Sequence, residues 1–217
     1  MRLTGSGIVF SFSCDVVLFD MDGTLVNSTG AVERMWRLWA KRVGLDAERV
    51  VAVAHGRRTS ETMREIAPGL DGARETAWFD AREELDTAGI VEVPGASGLL
   101  KQVERWAVVT SAHRRLAEIR LGCAALPVPA VMVCGDEIAV GKPDPEGYLK
   151  AAALLGVAPG RCLVVEDAPA GVEAGQRAGM QVIALSTTHP ASAFLDLPCV
   201  PDLRSLRMDR GVVYCQA

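Results

Sequence analysis

The sequence predicts an α/β protein, in which a parallel sheet covered by helices is interrupted after its first strand by a block of helices. Three observations predict this. Short apolar runs recur, and each gives way to polar or acidic residues; helical periodicity fills the gaps between the later runs; and from about residue 28 to residue 88 there is helical periodicity alone. Continuous apolar runs mark strands buried on both faces, and their alternation with helices marks a parallel sheet.

The elements follow in order. Residues through Ser13 form either an added strand or a disordered leader. Val16–Phe19 is the first core strand and ends at Asp20. Ala31, Val32, Met35, Trp36, Trp39, Ala40 and Val43 are spaced to line one face of a helix. Further helices are expected at 46–54, 60–67 and 71–88, punctuated by Gly44, Gly56, Pro68-Gly69 and Gly89. The chain enters and leaves this insert near 26–30 and 90–95, which would act as hinges. Residues 99–105 are a short stretch for a helix ahead of the second strand, Trp106–Val109, which ends at Thr110-Ser111. Strands are expected at 130–133, 163–165 and 181–185, and helices at 146–155 and 170–178 closed by Gly156 and Gly179.

Composition narrows the function. The 217 residues suit one compact unit or a core with a modest insert. With 23 basic against 27 acidic residues and a net charge of −4, the chain has no basic excess for nucleic acid. Ile8-Val9-Phe10 is far short of the ~20 apolar residues of a membrane span, and a secretory leader is not expected. The six cysteines form no CxxC pair and read as small buried thiols of a cytoplasmic protein rather than a disulfide or zinc frame. A monomer is favoured.

The candidate chemistry lies at the strand ends, where such sheets bind ligands. Asp20-Met21-Asp22-Gly23-Thr24 places two carboxylates beside each other before a glycine that permits a sharp turn. Acids this close repel unless a cation or proton lies between them, and a hard divalent ion such as magnesium suits oxygen ligands and a phosphate. The alternative is a pair of turn or capping acids. Glu166-Asp167 would supply further ligands, or cap the helix that follows. Lys142, one of four lysines, sits in the stiff loop Gly141-Lys142-Pro143-Asp144-Pro145, where it either balances acids and holds a phosphate oxygen or is simply solvated. Thr110 and Ser111 either bind phosphate or end the strand.

The order of these groups, acid pair, Thr/Ser, Lys, acid pair, resembles the four-motif signature of the haloacid dehalogenase-like superfamily from about Asp15 to Leu206. Its strongest signals are the first motif and Val165-Glu166-Asp167-Ala168-Pro169-Ala170-Gly171. The resemblance implies a Rossmann-like parallel core, residues 1–27 and 93–217, with a helical cap at 28–92 inserted between the first and second motifs. It implies that Asp20 attacks phosphorus and that Asp22 serves as acid and then base. Magnesium would be bound by Asp20, Asp22 through its carbonyl, Glu166 directly or through water, and Asp167. Thr110, Ser111 and Lys142 would hold the phosphoryl group.

Within the superfamily, Ala54-His55-Gly56-Arg57-Arg58-Thr59 and Glu92-Val93-Pro94-Gly95-Ala96 resemble the sugar and polyol phosphatases acting on glycerol phosphate and deoxyhexose phosphates. His55 and Arg58 are then expected to reach a small phosphorylated sugar or polyol. A sugar phosphomutase of the β-phosphoglucomutase type shares the core residues and is the alternative. A dehalogenase would not need the second acid pair, and a phosphonoacetaldehyde hydrolase needs a cap lysine that the His55–Arg58 loop lacks. A non-enzymatic scaffold would have no use for so many clustered acids.

Overall fold

The apolar run after Asp15 is the centre of the sheet. The computed structural model describes residues 8–216. Strand β1 (Ile8–Ser13) precedes the central strand β2 (Val16–Phe19), and the short β3 (Val26–Asn27) leads into four helices: α1 (Thr29–Val43), α2 (Ala47–Ala54), α3 (Thr59–Ile66) and α4 (Gly72–Glu83). The chain returns through β4 (Val91–Glu92), α5 (Ala96–Leu100), β5 (Trp106–Val109), α6 (Arg114–Cys123) and β6 (Met132–Val133). Then come α7 (Glu146–Leu155), β7 (Cys162–Glu166), α8 (Pro169–Arg177), β8 (Gln181–Leu185), β9 (Cys199–Val200), β10 (Leu206–Asp209) and β11 (Val212–Gln216).

The main sheet has the order β6-β5-β2-β7-β8-β9, with every pairing parallel. Alternate side chains leave a strand on opposite faces. Val17, Phe19, Leu163 and Val165 accordingly join one apolar cluster, while Val16, Leu18, Cys162 and Val164 join the other. Both faces are dry, which is why the strand sequences are continuously apolar.

Helices α1–α4 enclose a third core. Met35, Trp36, Trp39 and Ala40 of α1 meet Val50, Val51, Ala54, Met63 and Phe79. Trp36 stands edge-on to Trp39 at 5.6 Å and 4.6 Å from Phe79. Asp46 caps α2 by accepting from the N–H groups of Glu48 and Arg49, an arrangement worth about 1 kcal/mol. β3 and β4 pair where the chain leaves and re-enters the sheet.

Several expectations need correction. The fourth helix ends at Glu83 rather than running to residue 88, and the strand expected at 130–133 is confined to Met132–Val133. The helix ahead of β5 is the five-residue α5. Residues 8–13 are an added strand, paired antiparallel with β11; residues 1–7 lie outside the described part. The β10–β11 hairpin was not foreseen, although Arg210 and Gly211, both at positive φ, provide a turn of the kind that matches strand twist. Cys123 is exposed and Cys199 half-buried rather than buried, and all six thiols are free.

Candidate active site

The site forms where β2, β5 and β7 end. Asp20 follows β2 directly and is buried, its N–H donating to Val165 O at 3.0 Å. The chain then turns sharply through Gly23 at φ 85°, and a Cβ there would collide with the Asp167 carboxylate. Glycine lets the turn approach the second acid pair.

Lys142 reaches this point from the loop before α7. Its Nζ lies 2.5 Å from Asp20 Oδ1 and 2.6 Å from Glu166 Oε1, and donates to Val109 O at 3.1 Å. Glu166 is held from both oxygens: Tyr148 OH also donates to Oε1, and the N–H groups of Asp167 and Ala168 donate to Oε2. Asp167 accepts from Thr24 Oγ1 at 3.0 Å and from the Thr188 hydroxyl.

Charge explains the geometry. Burial, reinforced by Glu166 and Asp167, pushes the Asp20 carboxyl well above its ordinary range despite Lys142. Burial and Glu166 push Asp167 up to about 7. Burial opposes the Lys142 ammonium, but Asp20 and Glu166 outweigh it and hold that group well above its usual value. One oxygen each of Asp20, Glu166 and Asp167 lies within 4.8 Å of the others. Three buried carboxylates facing one ammonium are a hard, oxygen-only donor set short of positive charge, which fits a divalent cation.

A cavity of about 60 Å³ opens above, lined by Asp20, Asp22, Thr110, Ser111, His55 and Asp167 among others. Asp22 shares the cavity with Asp20 but not its partners: Ser28 Oγ donates to it at 2.5 Å and Arg120 lies at 2.9 Å. Thr110 Oγ1 accepts from Ala112 N, and Ser111 Oγ donates to Gly56 O at 3.0 Å. His55 stands 3.8 Å from Glu33 and edge-on to His189 at 6.1 Å; burial, with the neighbouring His189 imidazole, lowers its proton affinity. Arg58 does not line this cavity. Its guanidinium is drawn instead to Glu61 and the Ala139 carbonyl, and it is Arg57 that borders the opening.

Residues 14–179 match the family described as haloacid dehalogenase-like hydrolase. The chain belongs to that family. Among its relatives, hexitol phosphatase A of Escherichia coli (strain K12) is 44% identical over 180 residues, covering 80% of this chain and 83% of that protein. The 2-deoxyglucose-6-phosphate phosphatase 1 of Saccharomyces cerevisiae is 33% identical over 211 residues, covering 85% of each. The solved β-phosphoglucomutase of Clostridium difficile superposes with a TM-score of 0.80, covering 90% of this chain and 94% of that one at 19% identity, a likeness of fold alone.

Sequence reasoning about this haloacid dehalogenase-like hydrolase missed several groups at its site, Ser28 and Glu83 among them. Thr24 and Thr188 hold Asp167; both follow strand ends, which was the available signal. Tyr148 and Arg120 lie inside helices, and nothing in their local sequence marks them.

Proposed function

We propose that this hydrolase is a magnesium-dependent phosphatase of small sugar or polyol phosphates, with Asp20 as nucleophile. The observation that carries the reading is Asp20 itself, a buried carboxylate clamped by Lys142 at the floor of a cavity that Asp22 also lines.

In this reading an Asp20 oxygen attacks phosphorus as the ester oxygen departs with a proton from Asp22. Water then cleaves the aspartyl-phosphate and yields a proton to Asp22. Lys142, Thr110 and Ser111 stabilise the phosphoryl oxygens as charge builds on them. Asp20, Asp167 and the Asp22 carbonyl would hold magnesium, with Glu166 acting directly or through water. The bound ion would neutralise phosphate charge and orient the ester. Residues 28–92 act as a cap over the core of 1–27 and 93–217, and His55, joined by Arg58 once its guanidinium leaves Glu61 and the Ala139 carbonyl, meets the sugar or polyol as it closes. The named relatives act on hexitol and deoxyglucose phosphates, which supports substrates of this class.

Among the described residues no helix is long and apolar enough to cross a membrane. The free thiols support a cytoplasmic setting, and we favour a monomer. The test is phosphate release with magnesium from a panel of hexitol phosphates, 2-deoxyglucose 6-phosphate, glycerol phosphate and an aryl phosphate. Release from the sugar and polyol esters is expected. Silence on the whole panel would refute the reading, and rearrangement of a hexose 1-phosphate without free phosphate would point to a mutase.

A further inference from the structure

Asp22 has a donor on each of its carboxylate oxygens. Ser28 Oγ donates to Oδ1 at 2.5 Å, and Arg120 Nη1 lies 2.9 Å from Oδ2. Arg120 belongs to α6, in the sheet-bearing part of the molecule. Its second terminal nitrogen, Nη2, donates to Glu83 Oε1 at 2.7 Å, and Glu83 is the last residue of α4. Asp22, Arg120 and Glu83 all line the cavity over Asp20.

The arginine is an unfavourable choice for stability alone. It is 3% exposed, and its Nε has no partner. A buried guanidinium is tolerated only when its donors are matched, and apolar side chains of similar volume serve a core as well or better. What this guanidinium does have is a planar fork gripping two carboxylates, one from each part of the molecule. One terminal nitrogen goes to each carboxylate, so the rigid guanidinium plane fixes the two acids relative to each other, which the single ammonium of lysine does not.

We propose that Arg120 is a positioning residue for Asp22, and that Glu83 sets its angle from α4, so the aim of the acid and base depends on the helical unit being seated. This rests on the phosphatase reading above. In the first step the bond from Asp20 oxygen to phosphorus forms, the ester P–O bond breaks, and the Asp22 proton passes to the departing oxygen. In the second step water oxygen bonds to phosphorus, the acyl-phosphate P–O bond breaks, and Asp22 receives the proton of water. Both transfers require an Asp22 oxygen within about 2.6–3.2 Å of the atom it serves, so a small error in tilt slows both.

The experiment compares the wild-type protein with Arg120→Lys, Glu83→Gln, Asp22→Asn and the double variant Asp22→Asn/Arg120→Lys. Folding is verified by circular dichroism and melting, and each is assayed with magnesium on a hexitol phosphate and on p-nitrophenyl phosphate. Arg120→Lys should lower kcat on the hexitol phosphate by about tenfold or more while KM moves less than about threefold. Nitrophenolate leaves without a proton, so p-nitrophenyl phosphate should still give a burst followed by slow turnover. Glu83→Gln should show the same pattern more weakly, and the double variant should be no slower than Asp22→Asn. Additive losses in the double variant, loss of the burst along with turnover, or wild-type kcat in Arg120→Lys would each overturn the proposal while leaving the phosphatase reading intact. If the wild-type protein itself releases phosphate from neither ester, the phosphatase reading fails and this proposal with it.

Discussion

Lys142 Nζ bridges Asp20 and Glu166, at 2.5 Å from one carboxylate and 2.6 Å from the other, and all three side chains are buried. Removing the ammonium leaves two acids facing each other out of water. Lys142→Met should therefore cost about 3–5 kcal/mol of stability, as breaking a buried ion pair does. Urea denaturation reads this as a lower midpoint with an unchanged slope. A midpoint equal to wild type would show that the clamp adds nothing to the fold.

Asp167 is the acid whose remaining need is a cation. Its two protein donors, Thr24 and Thr188, are neutral hydroxyls. Magnesium well above its Kd should raise the melting temperature by roughly 5 °C or more, through binding to the folded state. EDTA should reverse the rise, and Asp167→Asn should abolish it. A full shift in Asp167→Asn would move the ion elsewhere.

Two glycines in helices test the packing behind the site. A Cβ on Gly171 would collide with the Glu166 carboxylate, which Lys142, Tyr148 and two backbone N–H groups hold in place. Gly171→Ala should lose about 2 kcal/mol or more and most activity. Nothing lies within 4 Å of a Cβ on Gly98 in α5, so Gly98→Ala should gain about 0.5–1 kcal/mol with turnover unchanged. Chemical denaturation of the pair, alongside phosphate release, checks both signs.

The cysteines should separate by reactivity. Burial pushes the thiols of Cys14 and Cys215 up to about 11 and that of Cys134 up to about 12, whereas Cys123 is exposed at the end of α6. Brief iodoacetamide treatment of the native protein, read by peptide mass spectrometry, should label Cys123 well ahead of those three. Early labelling of Cys134 would mean that the sheet edge at β6 opens readily.

The sheet was legible because its strands are buried on both faces and therefore read as unbroken apolar runs. Val16–Phe19, Trp106–Val109 and Gln181–Leu185 were found to the residue for that reason. β1, β10 and β11 form an outlying antiparallel sheet; along β10 and β11 more and less buried residues alternate, a weaker signal over so few residues. In the helical insert the starts were legible from Asp46 and Asp71. The end of α4 was not, because no Gly or Pro marks Glu83.

At the site, what could be read was the set of residues at strand ends, since position in the fold and chemistry coincide there. Asp20, Lys142, Glu166 and Asp167 meet within hydrogen-bonding range or close to it. Partnership was not legible. The family resemblance gives Asp22 a duty separate from that of Asp20, but not its partners, which lie 98 residues onward (Arg120) and six onward (Ser28). Nor was it legible which of the adjacent arginines borders the cavity: Arg57 does here, while Glu61 and a loop carbonyl hold Arg58.

The position of β2 between β5 and β7 bears on how the protein is born. Asp20 leaves the ribosome before residues 162–166, and the strand that completes its surroundings is made only when those appear. Until then the carboxylate lacks Glu166, and β2 has one neighbour instead of two. A chain that stops before residue 162 thus has neither Glu166 nor Asp167 beside Asp20, and should release no phosphate.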